Sequence, residues 1–287
     1  MFCLAGATAT GKSAVAQLLA ERFGAAVLSA DAMLVYRGLD IGTAKPSLAE
    51  RGTVPYFGVD CVTPADDFSA AAWLKEAERA STAAGRVIAA GGTGLYFSAL
   101  LRGLDPAPPC DPILRAELEA CSLAELQARL EATGHAIADR SNPRRLVRAL
   151  EILASGGTLP KGWGARAKPK LTALTWERSV LHQRIARRVE EMYAAGLLEE
   201  AERMRTAYPQ WSRTAAQAIG YAEAFAVLDG ALSPEEAKER TVIRTRQLAR
   251  RQETYLRGQF EVTWIFGESG MTVAQLADRV AAAWHLA

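Results

Sequence analysis

Residues 6–13 read GATATGKS, the spacing G-x-x-x-x-G-K-[ST] that lets a glycine-rich turn wrap a diphosphate. Gly6, Ala7, Thr8, Ala9, Thr10 and Gly11 form the turn, and the amides from residue 7 onward can face an anion at the positive end of the following helix. Lys12 adds a full charge, and the Ser13 hydroxyl is placed to bind Mg2+. A nucleotide hydrolase with such a loop commonly holds its metal through an acid at the end of a neighbouring strand. Here RVIAAGGTG (86–94) ends in glycines instead, with Thr93 offering a hydroxyl. The nearest strand-terminal acid is Asp31, in VLSADAMLVY. At the carboxyl edge of a sheet such a group can bind metal, accept a proton from a nucleophile, or cap the next turn.

Arginine is the second theme. In SVLHQRIARRVEEM (179–192), Leu181, Ile185, Val189 and Met192 make an apolar stripe at helical spacing, with Arg184, Arg187 and Arg188 off it. RTVIRTRQLARRQETYLRG (240–258) on a helix places Arg240, Arg244 and Arg251 within about 40° of one another, and Arg246, Arg250 and Arg257 about 120° away. Val242, Ala249 and Leu256 share the opposite side. Salt-bridged surface helices mix signs, whereas Glu253 is the one acid among these six guanidinium groups. A phosphate-rich polymer suits such a face. NPRRLVRALE (142–151) adds Arg144, Arg145 and Arg148.

These residues need a scaffold. FCLA before the loop and AVAQLLAERFG after it predict strand, turn and helix. Further strand-like runs at 25–29, 86–90, 171–175 and 262–266 alternate with helices, which predicts an α/β fold: a P-loop NTPase-like parallel sheet wrapped by helices. DPILRAELEACSLAELQARLEATG (111–134) reads as a helical insertion. The expected domains are a catalytic core over 1–110 and 141–287, and an insertion over about 111–140. The proline-rich breaker DPAPPCDP precedes the insertion, and the Gly-, Pro- and Lys-rich stretch 155–170 reads as a mobile basic loop.

With 287 residues, 49% hydrophobic and 23% charged, the chain is globular rather than disordered, and its net charge of +2 requires local clusters to meet any polyanion. Cys3, Cys61, Cys110 and Cys121 form no C-x-x-C pair, and the histidines show no metal-ligand spacing. Free thiols in a reducing cytoplasm, no signal peptide and no membrane span are the expectation.

GATATGKS, SADAMLVYRGLDIGTAKPS, GGTGLYFSALLRGL, NPRRLVRALE, HQRIARR, QAIGYAEA and TRQLARRQETYLR, in that order and spacing, resemble the tRNA dimethylallyltransferases, also called tRNA isopentenyltransferases. The resemblance runs from about residue 6 to 260. It implies transfer of a dimethylallyl group from dimethylallyl diphosphate to N6 of adenosine 37 in the anticodon loop of tRNA, with Mg2+ as cofactor and the chain acting as a monomer. By motif position, Thr8, Lys12, Ser13 with Mg2+ and Arg188 would hold the leaving diphosphate, and Asp31 would accept the amine proton. Asp31, Ala32, Met33, Leu34, Thr93 and Arg115 would border the tRNA path. So would Arg144, Arg145, Arg148, Gln217, Gly220 and Tyr221, and on the arginine helix Arg246, Arg250, Arg251 and Arg257. Ala32 stands where the family commonly has Ser, and Asn142 where it commonly has Asp. An adenylate isopentenyltransferase is one alternative, though AMP needs no extended phosphate track. A P-loop small-molecule kinase is another.

Overall fold

In a computed structural model the described residues are 1–105, 108, 111–160, 162–163 and 167–286. Cys110, part of the proline-rich breaker, and positions 161 and 164–166 of the expected basic loop lie outside them. Two compact units are formed, Met1–Arg102 with Lys168–Ala287, and Gly103–Ala167.

The larger unit begins with β1 (Phe2–Gly6), whose last three residues are buried, and α1 (Lys12–Phe23). β2 (Ala26–Ser29), the short α2 (Leu48–Arg51), β3 (Tyr56–Phe57), α3 (Ala70–Ala83), β4 (Val87–Gly91) and α4 (Gly94–Arg102) follow. After the helical unit come β5 (Lys170–Trp176), α8 (Arg178–Ala194), α9 (Leu197–Ala207), α10 (Tyr221–Leu228), α11 (Pro234–Gln259), β6 (Glu261–Gly267) and α12 (Val273–Ala283). The sheet has the order β3-β2-β4-β1-β5-β6 and every pairing is parallel. The expected parallel α/β architecture is therefore present, and strand-like runs from residues 2, 25, 86, 171 and 262 all enter the sheet. β3 escaped the sequence reading because two residues beside Pro55 carry no alternation.

Burial on both faces explains the continuous apolar composition of β2, β4 and β5. One side of the sheet is sealed by Val15, Ala16 and Leu19 of α1 against Leu276, Ala277 and Val280 of α12. The other is sealed by Trp73 and Ala77 of α3 with Tyr96 and Phe97 of α4, the Trp73 and Tyr96 rings stacking at 4.6 Å. α11 starts with Ser233, whose hydroxyl accepts the Glu236 amide while the Glu236 carboxylate accepts the Ser233 amide. Pro234 fits the first turn, where no amide partner is needed. This long helix is thus anchored at a defined point before it crosses the carboxyl edge of the sheet.

The smaller unit holds α5 (Pro112–Glu119), α6 (Leu123–Ala132) and α7 (Pro143–Ala154) around Leu118, Leu126, Leu130 and Leu146. Its bounds, 103–167, are wider than the 111–140 read from sequence, because α7 supplies the apolar face that α5 and α6 bury. Asn142 accepts the Arg144 amide at 3.1 Å, so it keeps the capping role that an Asp would fill. Among the described residues Cys3, Cys61 and Cys121 are free thiols, and no helix is long and apolar enough to cross a membrane.

Candidate active site

The phosphate loop joins β1 to α1 through a backbone that needs its glycines. Gly6 leaves the strand with its Cα facing β5, where a Cβ would sit 2.8 Å from the Leu174 carbonyl. Gly11, at φ 89°, takes the left-handed conformation immediately before the helix. The buried Thr10 hydroxyl donates to the Ala7 carbonyl at 2.9 Å and stiffens the turn. Ser13 stands exposed in the first helical turn, whereas Lys12 is buried and donates to the Ala7 carbonyl at 3.3 Å. Burial pulls the Lys12 ammonium down to about 8; Asp31 opposes this shift and Arg188 adds to it.

Three residues without an expected role, Arg184, Trp176 and Gln252, brace this loop. Arg184 donates from Nε to the Ala9 carbonyl at 2.8 Å and lies over the Trp176 ring at 4.3 Å, and the Trp176 indole donates to the Thr10 carbonyl at 2.9 Å. Gln252 of α11 accepts the Thr8 amide at 2.9 Å. A usable signal for Gln252 exists in the spacing Thr241, Thr245, Leu248, Gln252, a mildly polar stripe on an otherwise basic helix.

Asp31 lies just past the end of β2. Its Oδ1 accepts the Met33 amide at 2.9 Å, while Oδ2 has no hydrogen-bond partner among the described residues. The GGTG turn packs against this segment: the Thr93 hydroxyl accepts the Ala32 amide at 3.0 Å, and the Thr93 amide donates to the Ala30 carbonyl at 3.0 Å. Gly91 is obligatory, since a Cβ there would fall 2.0 Å from the Ala30 carbonyl oxygen.

A cavity of about 190 Å³ opens where these pieces meet. Thr8, Asp31, Thr93, Arg188 and Gln252 supply its polar groups, and Ile185, Val189, Met192 and Leu248 its apolar wall. Arg188, off the apolar stripe of α8, is half-buried rather than part of a solvated face. Burial draws its guanidinium below the usual arginine range, against the opposing pull of Asp31 and Glu191. Cationic groups beside a mixed polar and apolar space can hold a diphosphate while its hydrocarbon end lies dry.

Arg188 is itself aimed by the loop DIGTAKP. Its Nη2 donates to the Thr43 carbonyl at 3.0 Å. The loop is held by the buried Glu200 carboxylate, whose Oε1 accepts the amides of Asp40 at 3.3 Å, Ile41 at 3.0 Å and Gly42 at 3.4 Å. The Tyr221 hydroxyl donates to Glu200 and accepts the Gly42 amide at 3.2 Å. Hydrogen bonds to a buried charge contribute more than neutral ones, so Glu200→Ala is expected to cost about 3 kcal/mol of stability. It is also expected to speed amide hydrogen exchange at residues 40–42. Denaturant unfolding and exchange at those amides measure both, and unchanged exchange would show that the loop keeps its shape without the carboxylate.

Several expected tRNA contacts find other employment. Tyr221 is fully buried and serves the loop, Gly220 is buried behind Gly42, and Leu34 is buried, so these side chains offer no surface to a polymer. Arg115 closes on Glu151 through Nε and Nη2, both at 2.7 Å, and Arg148 donates to the same carboxylate and to the Pro108 carbonyl, so both staple the helical unit. Arg144 and Arg145 are exposed on that unit, and Gln217 is exposed on the larger one. The six-guanidinium face of α11 is also smaller than the wheel suggests. Arg244 pairs with the buried Glu223, and Arg257 lies over the Trp264 ring at 4.5 Å. Arg240, Arg250 and Arg251 are exposed without a carboxylate partner among the described residues. Ala32 and Met33 line the cavity.

Residues 34–259 match the family model described as IPP transferase, and residues 1–54 match isopentenyl transferase. A tRNA dimethylallyltransferase of Anaeromyxobacter dehalogenans is 46% identical, with 91% of each chain covered. One from Bordetella pertussis is 40% identical over 99% of this chain and 97% of its own. The crystal structure of a tRNA isopentenylpyrophosphate transferase from Bacillus halodurans matches with a TM-score of 0.68 at 32% identity, covering 99% of this chain and 96% of that one. The chain that carries this phosphate loop, strand-end aspartate and arginine-lined cavity belongs to the IPP transferase family.

Proposed function

We propose that the protein transfers the dimethylallyl group of dimethylallyl diphosphate to N6 of adenosine 37, in the anticodon loop of tRNA, releasing diphosphate. The observation that carries this reading is the cavity that brings the polar groups of Thr8, Asp31 and Arg188 together with the apolar side chains of Ile185, Val189, Met192 and Leu248. The C1–O bond of the allylic diphosphate breaks and the diphosphate leaves with the electron pair. The N6 lone pair forms the C1–N bond, and the N6 proton passes to Asp31 Oδ2. Adenine N6 is scarcely basic, so Asp31 takes the proton as the new bond forms rather than beforehand. Lys12, Arg188 and the amides of the loop neutralise the charge that grows on the leaving group.

Mg2+ suits the chemistry of a diphosphate, and the exposed Ser13 hydroxyl is the candidate protein oxygen to hold it. Among the described residues no cluster of His, Cys, Asp or Glu forms a protein cage, so the ion would be held chiefly by diphosphate and water oxygens. Bound there, it would supply charge neutralisation for the leaving diphosphate. Exposed Arg250 and Arg251 on α11 are the candidates for phosphate contacts that offset the few kcal/mol needed to unstack the adenine. Arg246, Arg144, Arg145, Gln217 and Thr93 are the further candidates for lining the tRNA path.

The deciding experiment supplies unmodified tRNA, Mg2+ and labelled dimethylallyl diphosphate, with ATP as control. Label is expected on tRNA adenosine. ATP turnover without transfer of label would replace this reading with a kinase, and label on AMP but not on tRNA would move the acceptor to a free nucleotide.

A further inference from the structure

A second recess, of about 500 Å³, opens between α8 and α11 outside the cavity described above. Arg178, His182, Arg246 and Arg250 line it, with Trp176 and Leu181 among its apolar residues. None of these three arginines has a carboxylate partner among the described residues, in contrast to Arg244, two residues before Arg246 on α11. The Nε of Arg246 is buried and donates to no acceptor there. An unsatisfied buried donor of this kind is costly unless a ligand meets it. The acid in the wall, Glu253, accepts the Thr175 hydroxyl at 3.0 Å. Burial and the neighbouring Arg246 and Arg178 hold the His182 imidazole below its usual pKa, as an electropositive surrounding does.

We propose that this recess is a second phosphate-binding site, separate from loop 6–13, which takes a phosphate or diphosphate group on Arg178, Arg246 and Arg250. Guanidinium forks match the oxygen spacing of phosphate and satisfy several of its lone pairs at once. Trp176 connects the two sites, because it lines this recess and donates its indole N–H to the Thr10 carbonyl of the phosphate loop at 2.9 Å. The ligand is a free phosphate or diphosphate; contact of Arg246 and Arg250 with a polynucleotide backbone belongs to the tRNA path already proposed and is the competing outcome of the test.

Calorimetric titration of the full chain with inorganic pyrophosphate tests the free-anion source. Two classes of site are expected, and Arg178→Gln and Arg246→Gln should each weaken one class at least ten-fold while the class removed by Lys12→Met persists. Arg178 is exposed, so its variant keeps the core intact. The second arm titrates unmodified tRNA against salt. A single pyrophosphate class, combined with weaker tRNA binding by both arginine variants and a salt slope lower by about 0.7 to 0.9 per lost contact, overturns the second site and leaves these arginines to the tRNA path. That arm rests on the tRNA-modifying reading and the pyrophosphate arm does not, so a protein inactive toward tRNA would still be tested by the first. One pyrophosphate class together with unchanged tRNA affinity and salt slope in both variants overturns the proposal.

Discussion

Asp31→Ala is expected to lower single-turnover transfer by about 10²- to 10⁴-fold, the usual contribution of a positioned general base, while pyrophosphate affinity stays within about three-fold of the parent. The split follows from the geometry. Asp31 presents an acceptor oxygen to the cavity and no donor that could hold an anion. Its charge acts on Lys12 and Arg188 in the direction that keeps them protonated, and a bound diphosphate, which carries more negative charge than one carboxylate, keeps both protonated in its place, so pyrophosphate affinity changes little. Asp31→Asn keeps an oxygen for the Met33 amide and is expected to be as slow as Asp31→Ala. Transfer at the parental rate by Asp31→Ala would remove the general-base assignment, whereas loss of pyrophosphate binding would mean that the carboxylate shapes the site rather than moving a proton.

Lys12→Met should lose about 10²- to 10³-fold in turnover, the scale seen when one donor to a developing oxyanion is deleted. It should also gain stability at neutral pH. The amine titrates near 10.5 in the unfolded chain and near 8 in the folded one, because burial penalises its charge. Between those values the unfolded chain binds more protons, so the Lys12 contribution to stability rises with pH across the window. Below pH 8 the penalty is fully present, and its removal is worth up to about 3 kcal/mol. Unfolding curves of both proteins at pH 7 and pH 10 measure this: the advantage of Lys12→Met is expected to shrink at the higher pH. An equal gap at both values would mean that the ammonium is solvated when charged. A residue that destabilises the empty protein and holds the diphosphate illustrates binding chemistry installed at the expense of fold stability.

The local features of the site were legible because they are local. GATATGKS spans one strand end, one turn and one helix start, and its conformation follows from glycine torsions and the first helical amides. The apolar runs of β2, β4 and β5 announce strands buried on both faces, while β1 is buried only over its last three residues and β6 is a partly covered edge strand. Asp31 was legible as an acid at a strand end, though not which of its oxygens is free.

Features made by residues far apart in the chain were not. Periodicity sorted Arg244 with the free arginines, since its partner Glu223 sits on another helix. Motif resemblance placed Gly220 and Tyr221 on the tRNA path, yet Tyr221 reaches across to Glu200 and Gly42 and disappears into the core. Arg184 and Gln252 acquire roles at the phosphate loop from positions more than 170 and 240 residues away in sequence. By itself the sequence determined the fold class, the phosphate loop and the presence of unpaired arginine on α11. Tertiary packing alone decided which cations remain free for an anion and which are spent on buried carboxylates. The reason is electrostatic: a guanidinium binds whichever oxyanion the fold brings within reach, and that distance is not written along the chain.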